Sequence, residues 1–235
     1  MIKAVLFDLD GTLLPMDQEV FTKTYFGLLA KHLAPYGYAS NDVVQAVLAG
    51  TKAMVKNDGI MTNEDAFWKL YGENFGEEKK NDIVIFEKFY NEDFDKVQVS
   101  SGFNAKANSA VVKAKELGFR VVLATNPIFP RIATEKRMKW AGLNQADFEL
   151  FTTYENSSYC KPNLKYYQAI LDRLGLKGEE CLMVGNDVGE DMIAADLGMK
   201  VFLVTDCLIN KEGKNISVYP HGNLDDLMRY LECLA

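Results

Sequence analysis

Two aspartates, Asp8 and Asp10, stand one residue apart behind the apolar run Ala4-Val5-Leu6-Phe7 and ahead of Gly11 and Thr12. In an extended chain, side chains two positions apart point the same way, roughly 6–7 Å from each other. Two carboxylates at that spacing repel unless a cation or a proton lies between them. The apolar run reads as a strand buried on both faces. Such a strand cannot hold bare carboxylates, so the pair belongs at its end, where solvent, a cation or a ligand can meet it. Gly11 allows a turn with positive φ, and Thr12 brings a hydroxyl close by.

Three further places carry chemistry. The run Val121-Val122-Leu123-Ala124 ends in Thr125-Asn126-Pro127, a hydroxyl and backbone N–H groups suited to an anion; the same three residues also spell an ordinary turn. Lys161 precedes Pro162, which is expected to open a helix. A lysine at a helix N-terminus opposes the helix dipole unless an anion lies near it. The run Cys181-Leu182-Met183-Val184 leads into Gly185-Asn186-Asp187-Val188-Gly189-Glu190-Asp191. Three acids at the mouth of a strand suit a hard cation that prefers oxygen ligands, and helix capping accounts for one or two of them.

The elements that must position these residues fall into two kinds. From Asp17 to about Asp93 the apolar residues recur at helical spacing, predicting four helices: 17–34, one from Ser40 or Asn41 towards Val55, one opened by Thr62-Asn63-Glu64-Asp65, and 77–93. From Gly102 helix and strand alternate, with strands expected at 119–124, 148–152, 181–184 and 200–204, and helices at 105–117, 131–140, 162–174, 191–197 and 224–234. Alternation of this kind implies a parallel sheet with right-handed crossovers. The first strand matches the later ones in character. The fold class is therefore α/β, a Rossmann-like parallel sheet core (residues 1–14 and 99–235) with an inserted all-helical cap domain (residues 15–98). Ligands bind beyond the carboxyl ends of such strands, and an insertion leaving from that edge would lie over the site as a lid.

The stretch Asp8-Leu9-Asp10-Gly11-Thr12-Leu13-Leu14 resembles the first signature of the haloacid dehalogenase-like hydrolase superfamily. Thr125-Asn126, Lys161-Pro162 and the acids from Asp187 to Asp191 resemble the second, third and fourth, in that order. A helical cap after the first strand resembles the phosphoglycolate phosphatase-like branch. The resemblance implies a Mg²⁺-dependent phosphatase acting on a small phosphorylated metabolite through an aspartyl-phosphate on Asp8. It makes Asp10 the general acid/base, Thr125 and Asn126 the phosphate binders, and Lys161 the cation that offsets the charge of nucleophile and phosphoryl group. Asp8, the carbonyl of Asp10, and Asp187 would hold the metal. Asp191 fits the spacing of a supporting acid better than Glu190, and Asn186 stands where the family often has glycine. In the dehalogenases of the superfamily the second aspartate is absent, so Asp10 favours phosphoryl transfer. The alternatives are a phosphomutase acting on a sugar phosphate and a binding or regulatory module that keeps the fold without turnover.

Composition limits the remaining classes. The 235 residues are 48% hydrophobic and 25% charged, as expected of a globular protein with a sizeable core. A net charge of −7 without a dense Lys/Arg cluster argues against a nucleic-acid surface. No apolar run approaches the ~18 residues of a membrane span, and no signal peptide is expected ahead of the first strand. The four cysteines lack C-x-x-C spacing, which points to reduced thiols and a cytoplasmic location. The two histidines are too few for a His-based metal site. The sequence is silent on oligomeric state and on which phosphate ester is the substrate.

Overall fold

The computed structural model describes residues 1–235, the side chain of Lys80 excepted. Among the described residues six strands form one sheet: β1 (Ala4–Phe7), β2 (Arg120–Leu123), β3 (Leu150–Phe151), β4 (Cys181–Gly185), β5 (Lys200–Val204) and β6 (His221–Gly222). They run in the order β3-β2-β1-β4-β5-β6, and every pairing is parallel. Val5 lies opposite Val121 and Leu182, and Phe7 opposite Leu123 and Val184. β1 is thus central: the chain runs from it through β2 to β3 at one edge, then crosses to β4 and on to β6 at the other, which opens a crevice at the carboxyl ends of β1 and β4.

Alternate residues of the strands feed two cores, as the period of an extended chain requires. Val5, Phe7, Val121, Leu123, Leu182 and Val184 pack with α5 (Ala105–Glu116) and α8 (Leu224–Glu232). Ala4, Leu6, Val122, Ala124, Cys181 and Met183 face α7 (Leu164–Leu174). α6 (Arg131–Trp140) completes the crossovers. The sheet is covered on both sides, which is why its strands are apolar throughout.

The connection from β1 to β2 carries α1 (Gln18–Leu33), α2 (Ser40–Val55), α3 (Asn63–Phe75) and α4 (Ile83–Glu92) as an inserted cap. Aromatic side chains hold it together, with Tyr25, Phe89 and Phe94 in edge-to-face contact and Trp68 and Phe86 likewise. The chain leaves and re-enters the core side by side. Met16 bridges Ser101, and the N–H of Gly102 donates to the carbonyl of Pro15 at 2.7 Å.

Several elements differ from the sequence expectation. The fourth cap helix is broken: a 3-10 segment, Glu77–Asp82, precedes α4. Its residues Glu77-Glu78-Lys79-Lys80-Asn81-Asp82 offer no apolar stripe to bury, so only the following Ile-Val-Ile-Phe run packs as an α-helix. Neither Ser40 nor Asn41 caps α2, which has no side-chain cap. Thr62 does cap α3, accepting from the N–H of Asp65. Pro162 lies outside α7, whose cap is Asn163, accepting from the N–H of Lys165. The segment 192–197 is a 3-10 helix, and β6 was not anticipated because two residues carry no periodicity.

Asn63 ties cap to core. It is fully buried; its Nδ2 donates to the carbonyl of Pro127 at 3.1 Å, its Oδ1 accepts from Asn57 at 2.9 Å, and its N–H donates to the carbonyl of Ser157 at 2.8 Å. An Asn63→Leu variant keeps the backbone bond to Ser157 but removes both side-chain bonds, leaving the Pro127 carbonyl without this donor and Asn57 without this acceptor. It is expected to lose about 1–3 kcal/mol in urea unfolding, with a secondary-structure content unchanged by circular dichroism.

Candidate active site

β1 ends at Phe7, and Asp8 is the first residue beyond the sheet. Its N–H still donates to the carbonyl of Val184 at 2.8 Å, so its backbone is held by β4. The chain then turns back on Leu9, whose carbonyl accepts from the N–H groups of Thr12, Leu13 and Leu14. Gly11 is required twice over in this turn. Its φ is +86°, and a Cβ there would lie 2.3 Å from Nδ2 of Asn186. The turn aims the Thr12 hydroxyl at Oδ2 of Asp8 (2.9 Å) and at Oδ1 of Asn186 (3.0 Å). One proton serves one of these acceptors at a time.

The other oxygen of Asp8 accepts from Nζ of Lys161 at 2.8 Å, and the same ammonium reaches Oδ1 of Asp191 at 2.6 Å. Lys161 is only 2% exposed. Burial by itself would lower its pKa, but Asp191 and Asp8 raise it well above the ordinary value, so it stays a cation. Burial, opposed by Lys161 and reinforced by Asp8, leaves the Asp191 carboxyl raised to about 7. The anion that a lysine at this position calls for is therefore this carboxylate pair. Oδ2 of Asp191 also accepts from the N–H of Asp187 at 3.0 Å, which shapes the loop after β4.

Asp10 has a partner that the sequence reading did not find. Arg137, fully buried on α6, donates from its guanidinium to Oδ2 of Asp10. The same guanidinium reaches the hydroxyl of Thr134 at 3.3 Å and lies over the ring of Phe129, 4.5 Å from its centroid. Oδ1 of Asp10 is buried without a hydrogen-bond partner. Burial raises the Asp10 pKa above the usual carboxylate range; Arg137 opposes the rise and Asp8 adds to it. A signal for Arg137 was present: Ala133, Thr134, Arg137 and Met138 form the buried stripe of α6, and a charge in such a stripe needs a partner.

Thr125 is buried at the end of β2, its carbonyl accepting from the hydroxyls of Thr152 (2.6 Å) and Tyr166 (2.9 Å). Oδ1 of Asn126 accepts from the N–H of Lys161 at 3.3 Å, and its Nδ2 donates to Glu190 at 3.1 Å. Burial raises the Glu190 carboxyl, with Lys161 lowering it and Asp187 raising it. Oδ1 of Asp187 accepts from the N–H groups of Gly189 (2.7 Å) and Glu190 (3.0 Å). Asp8, Asp10, Thr125, Asn126, Asp187, Glu190 and Asp191 line one cavity of about 760 Å³ between core and cap, with Lys161 bonded to Asp8 beneath them.

The residues that the resemblance would assign to a divalent cation, the carboxylates of Asp8 and Asp187 and the carbonyl of Asp10, would supply oxygen donors only. Among the described residues no three acidic, histidine or cysteine side chains converge as a cage. Mg²⁺ takes one or two carboxylates and keeps several waters, so this donor set fits Mg²⁺ better than a cation that demands a full protein shell.

Acids and an ammonium at the carboxyl ends of a central parallel strand and its neighbours, under a helical cap, define a hydrolase of one class. The chain belongs to the haloacid dehalogenase-like hydrolase family, whose model matches residues 2–196. It is 26% identical over 252 residues to the glyceraldehyde 3-phosphate phosphatase of Methanothermobacter thermautotrophicus, with all of both chains covered. It is similar in fold to a 2-haloacid dehalogenase from Pseudomonas syringae (18% identity, TM-score 0.66, all of both chains). It also resembles a predicted phosphoglycolate phosphatase from Haemophilus somnus (15%, TM-score 0.58, 100% of this chain and 98% of that one). The HAD-hydrolase YfnB of Bacillus subtilis, bound to magnesium, matches at 17% identity and a TM-score of 0.55 over 98% of both chains.

Removing the ammonium leaves two buried carboxylates facing each other. Lys161→Ala is expected to lose about 3–5 kcal/mol at about pH 8 in metal-free urea unfolding. The loss should shrink as pH falls towards 7, because without the ammonium that pulls it down the Asp191 carboxyl takes up its proton above the value of about 7 it has beside Lys161. An equal loss at both ends of that range would show that the ammonium does not neutralise the pair.

Proposed function

We propose that this chain is a Mg²⁺-dependent phosphatase that hydrolyses a small phosphate monoester through an aspartyl-phosphate on Asp8. Residues 15–98 serve as the cap over a core of residues 1–14 and 99–235. The observation that carries the reading is the pair of unlike carboxylates at the end of β1. Asp8 is held by Lys161 and Thr12, and Asp10 by Arg137, with one oxygen left free.

Asp8 attacks phosphorus; the P–O bond to the alcohol breaks, and Asp10 gives its proton to the departing oxygen. The unpartnered Oδ1 is the atom of Asp10 that can carry that proton, because Oδ2 is occupied by Arg137, and burial favours the protonated form. In the second half-reaction Asp10 takes a proton from water, which attacks the phosphorus and releases Asp8. Lys161, Thr125 and the N–H of Asn126 hold the equatorial oxygens, where charge accumulates. Bound by Asp8, the Asp10 carbonyl and Asp187, with Asp191 in support, Mg²⁺ would neutralise phosphate charge so that an anionic nucleophile can approach. A halide leaves without protonation, so an acid at position 10 supports phosphoryl transfer over dehalogenation.

Asp8→Asn is expected to abolish phosphate release. Asp10→Asn should slow an alkyl phosphate by about 10²–10⁴-fold and p-nitrophenyl phosphate far less, since that leaving group needs no proton. Wild-type rates for Asp10→Asn on the alkyl ester would overturn the acid/base role. Chelation with EDTA should stop turnover, and added Mg²⁺ should restore it.

A further inference from the structure

The cavity above the catalytic residues is large, aromatic and negatively charged. At about 760 Å³ it is in the range of sites that enclose drug-sized ligands. Phe26 of α1, Phe67 and Trp68 of α3, Phe86 of α4 and Phe129 of the loop after β2 line it. Phe26 and Phe129 are only partly buried, so apolar ring surface is left for a ligand to cover.

The polar groups on the same wall are unlike those that would hold an anion. Glu64, Glu87 and Glu155 line the cavity, and Arg131 is the one basic side chain among its described lining residues. Arg131 is already committed to Glu135 at 2.7 Å and lies over the ring of Phe151. A carboxylate or second phosphate on the alcohol would meet Glu64, Glu87 and Glu155, with Arg131, shared with Glu135, as the one cation on that wall. One buried group awaits the opposite chemistry. Oε2 of Glu155 has no hydrogen-bond donor, while Oε1 accepts from the N–H of Arg131 at 2.7 Å. The indole N–H of Trp68, a side chain 8% exposed, turns to the Tyr154 hydroxyl, which in turn lies against Glu64. Burial, with Glu155 and Asp65 adding to it, raises the Glu64 pKa, the mark of carboxylates crowded without a cation.

We propose that the alcohol half of the substrate is a planar heteroaromatic group bearing an amine, joined to the phosphate by a short arm. This inference rests on the phosphatase reading above. The ring stacks among the cap aromatics, and the amine meets Glu155 and Glu64. Short carboxylated and doubly phosphorylated esters are disfavoured by sign of charge.

The test is kcat/KM of the Mg²⁺-loaded protein for five esters. Pyridoxamine 5′-phosphate and cytidine 5′-monophosphate represent two sources of an aminated heterocycle, phenyl phosphate an uncharged ring, and 2-phosphoglycolate and fructose 1,6-bisphosphate the anionic aliphatic esters. One of the aminated pair is expected to exceed both anionic esters by about 100-fold. Glu155→Gln should lower its ratio to phenyl phosphate about tenfold. Equal or faster turnover of an anionic ester, or an unchanged ratio in Glu155→Gln, overturns the proposal while leaving the phosphatase reading intact. If all five esters are inert, the phosphatase reading fails instead. Tryptophan fluorescence titration with pyridoxamine, cytidine and glycolate then decides the cavity's ligand: saturable quenching by an amine and not by glycolate, weakened about tenfold in Glu155→Gln, supports it, and no quenching or an unchanged Glu155→Gln titration overturns it.

Discussion

A buried ammonium between two carboxylates is the constraint on which the rest of this molecule depends. Moving a charge of that size out of water carries a penalty of several kcal/mol even after relaxation. Lys161 withstands it because Asp8 and Asp191 bind it at 2.8 and 2.6 Å. Those three residues come from the ends of β1 and β4 and from the loop before α7, so the sheet must have its observed order for the charges to meet. The arrangement is also what makes Asp8 chemically useful. One of its oxygens is fixed by Lys161 and the other by Thr12, which leaves little rotational freedom in the carboxylate.

Asp10 is held by a second ion pair from the opposite side of the crevice. Arg137 rises from the buried face of α6, so the helix that follows the Thr125-Asn126 loop also orients the acid beside Asp8. Two carboxylates from one turn are thereby given different surroundings: Asp8 faces an ammonium and a hydroxyl, Asp10 a guanidinium on one oxygen and nothing on the other. Unlike surroundings separate the roles of two otherwise identical groups.

The cap contributes charge as well as cover. Its aromatic interior encloses the cavity, and Glu64 and Glu87 bring negative charge to a chamber that already holds Asp8, Asp10 and Asp187 at its floor. Asn63 links the N-terminus of α3 to the loops of the core. Cap and core are joined by these buried amide contacts, by the ring packing of α1 against Phe129 and of Phe94 against Trp140, and by Lys136 of α6, which reaches Asp95 and the carbonyl of Asn91.

The strands and most helices were legible in the sequence because burial on both faces leaves unbroken apolar runs, and helices announce themselves by period and cap. β1, β5 and α6 have the expected extents within a residue, and Thr62 caps α3 as its position implied. The convergence of Asp8, Thr125, Lys161 and Asp187 could be anticipated because each follows a strand or opens a helix in a parallel sheet. Elements decided by contact were not legible: β6 is two residues long, the 77–82 segment is too polar to propagate an α-helix, and Pro162 yields the cap to Asn163. The pairing of Arg137 with Asp10, 127 residues apart, and the unpartnered oxygen of Glu155 belong to tertiary structure alone. Local periodicity determines which face of an element is buried; it carries no information about which distant charge will be waiting there.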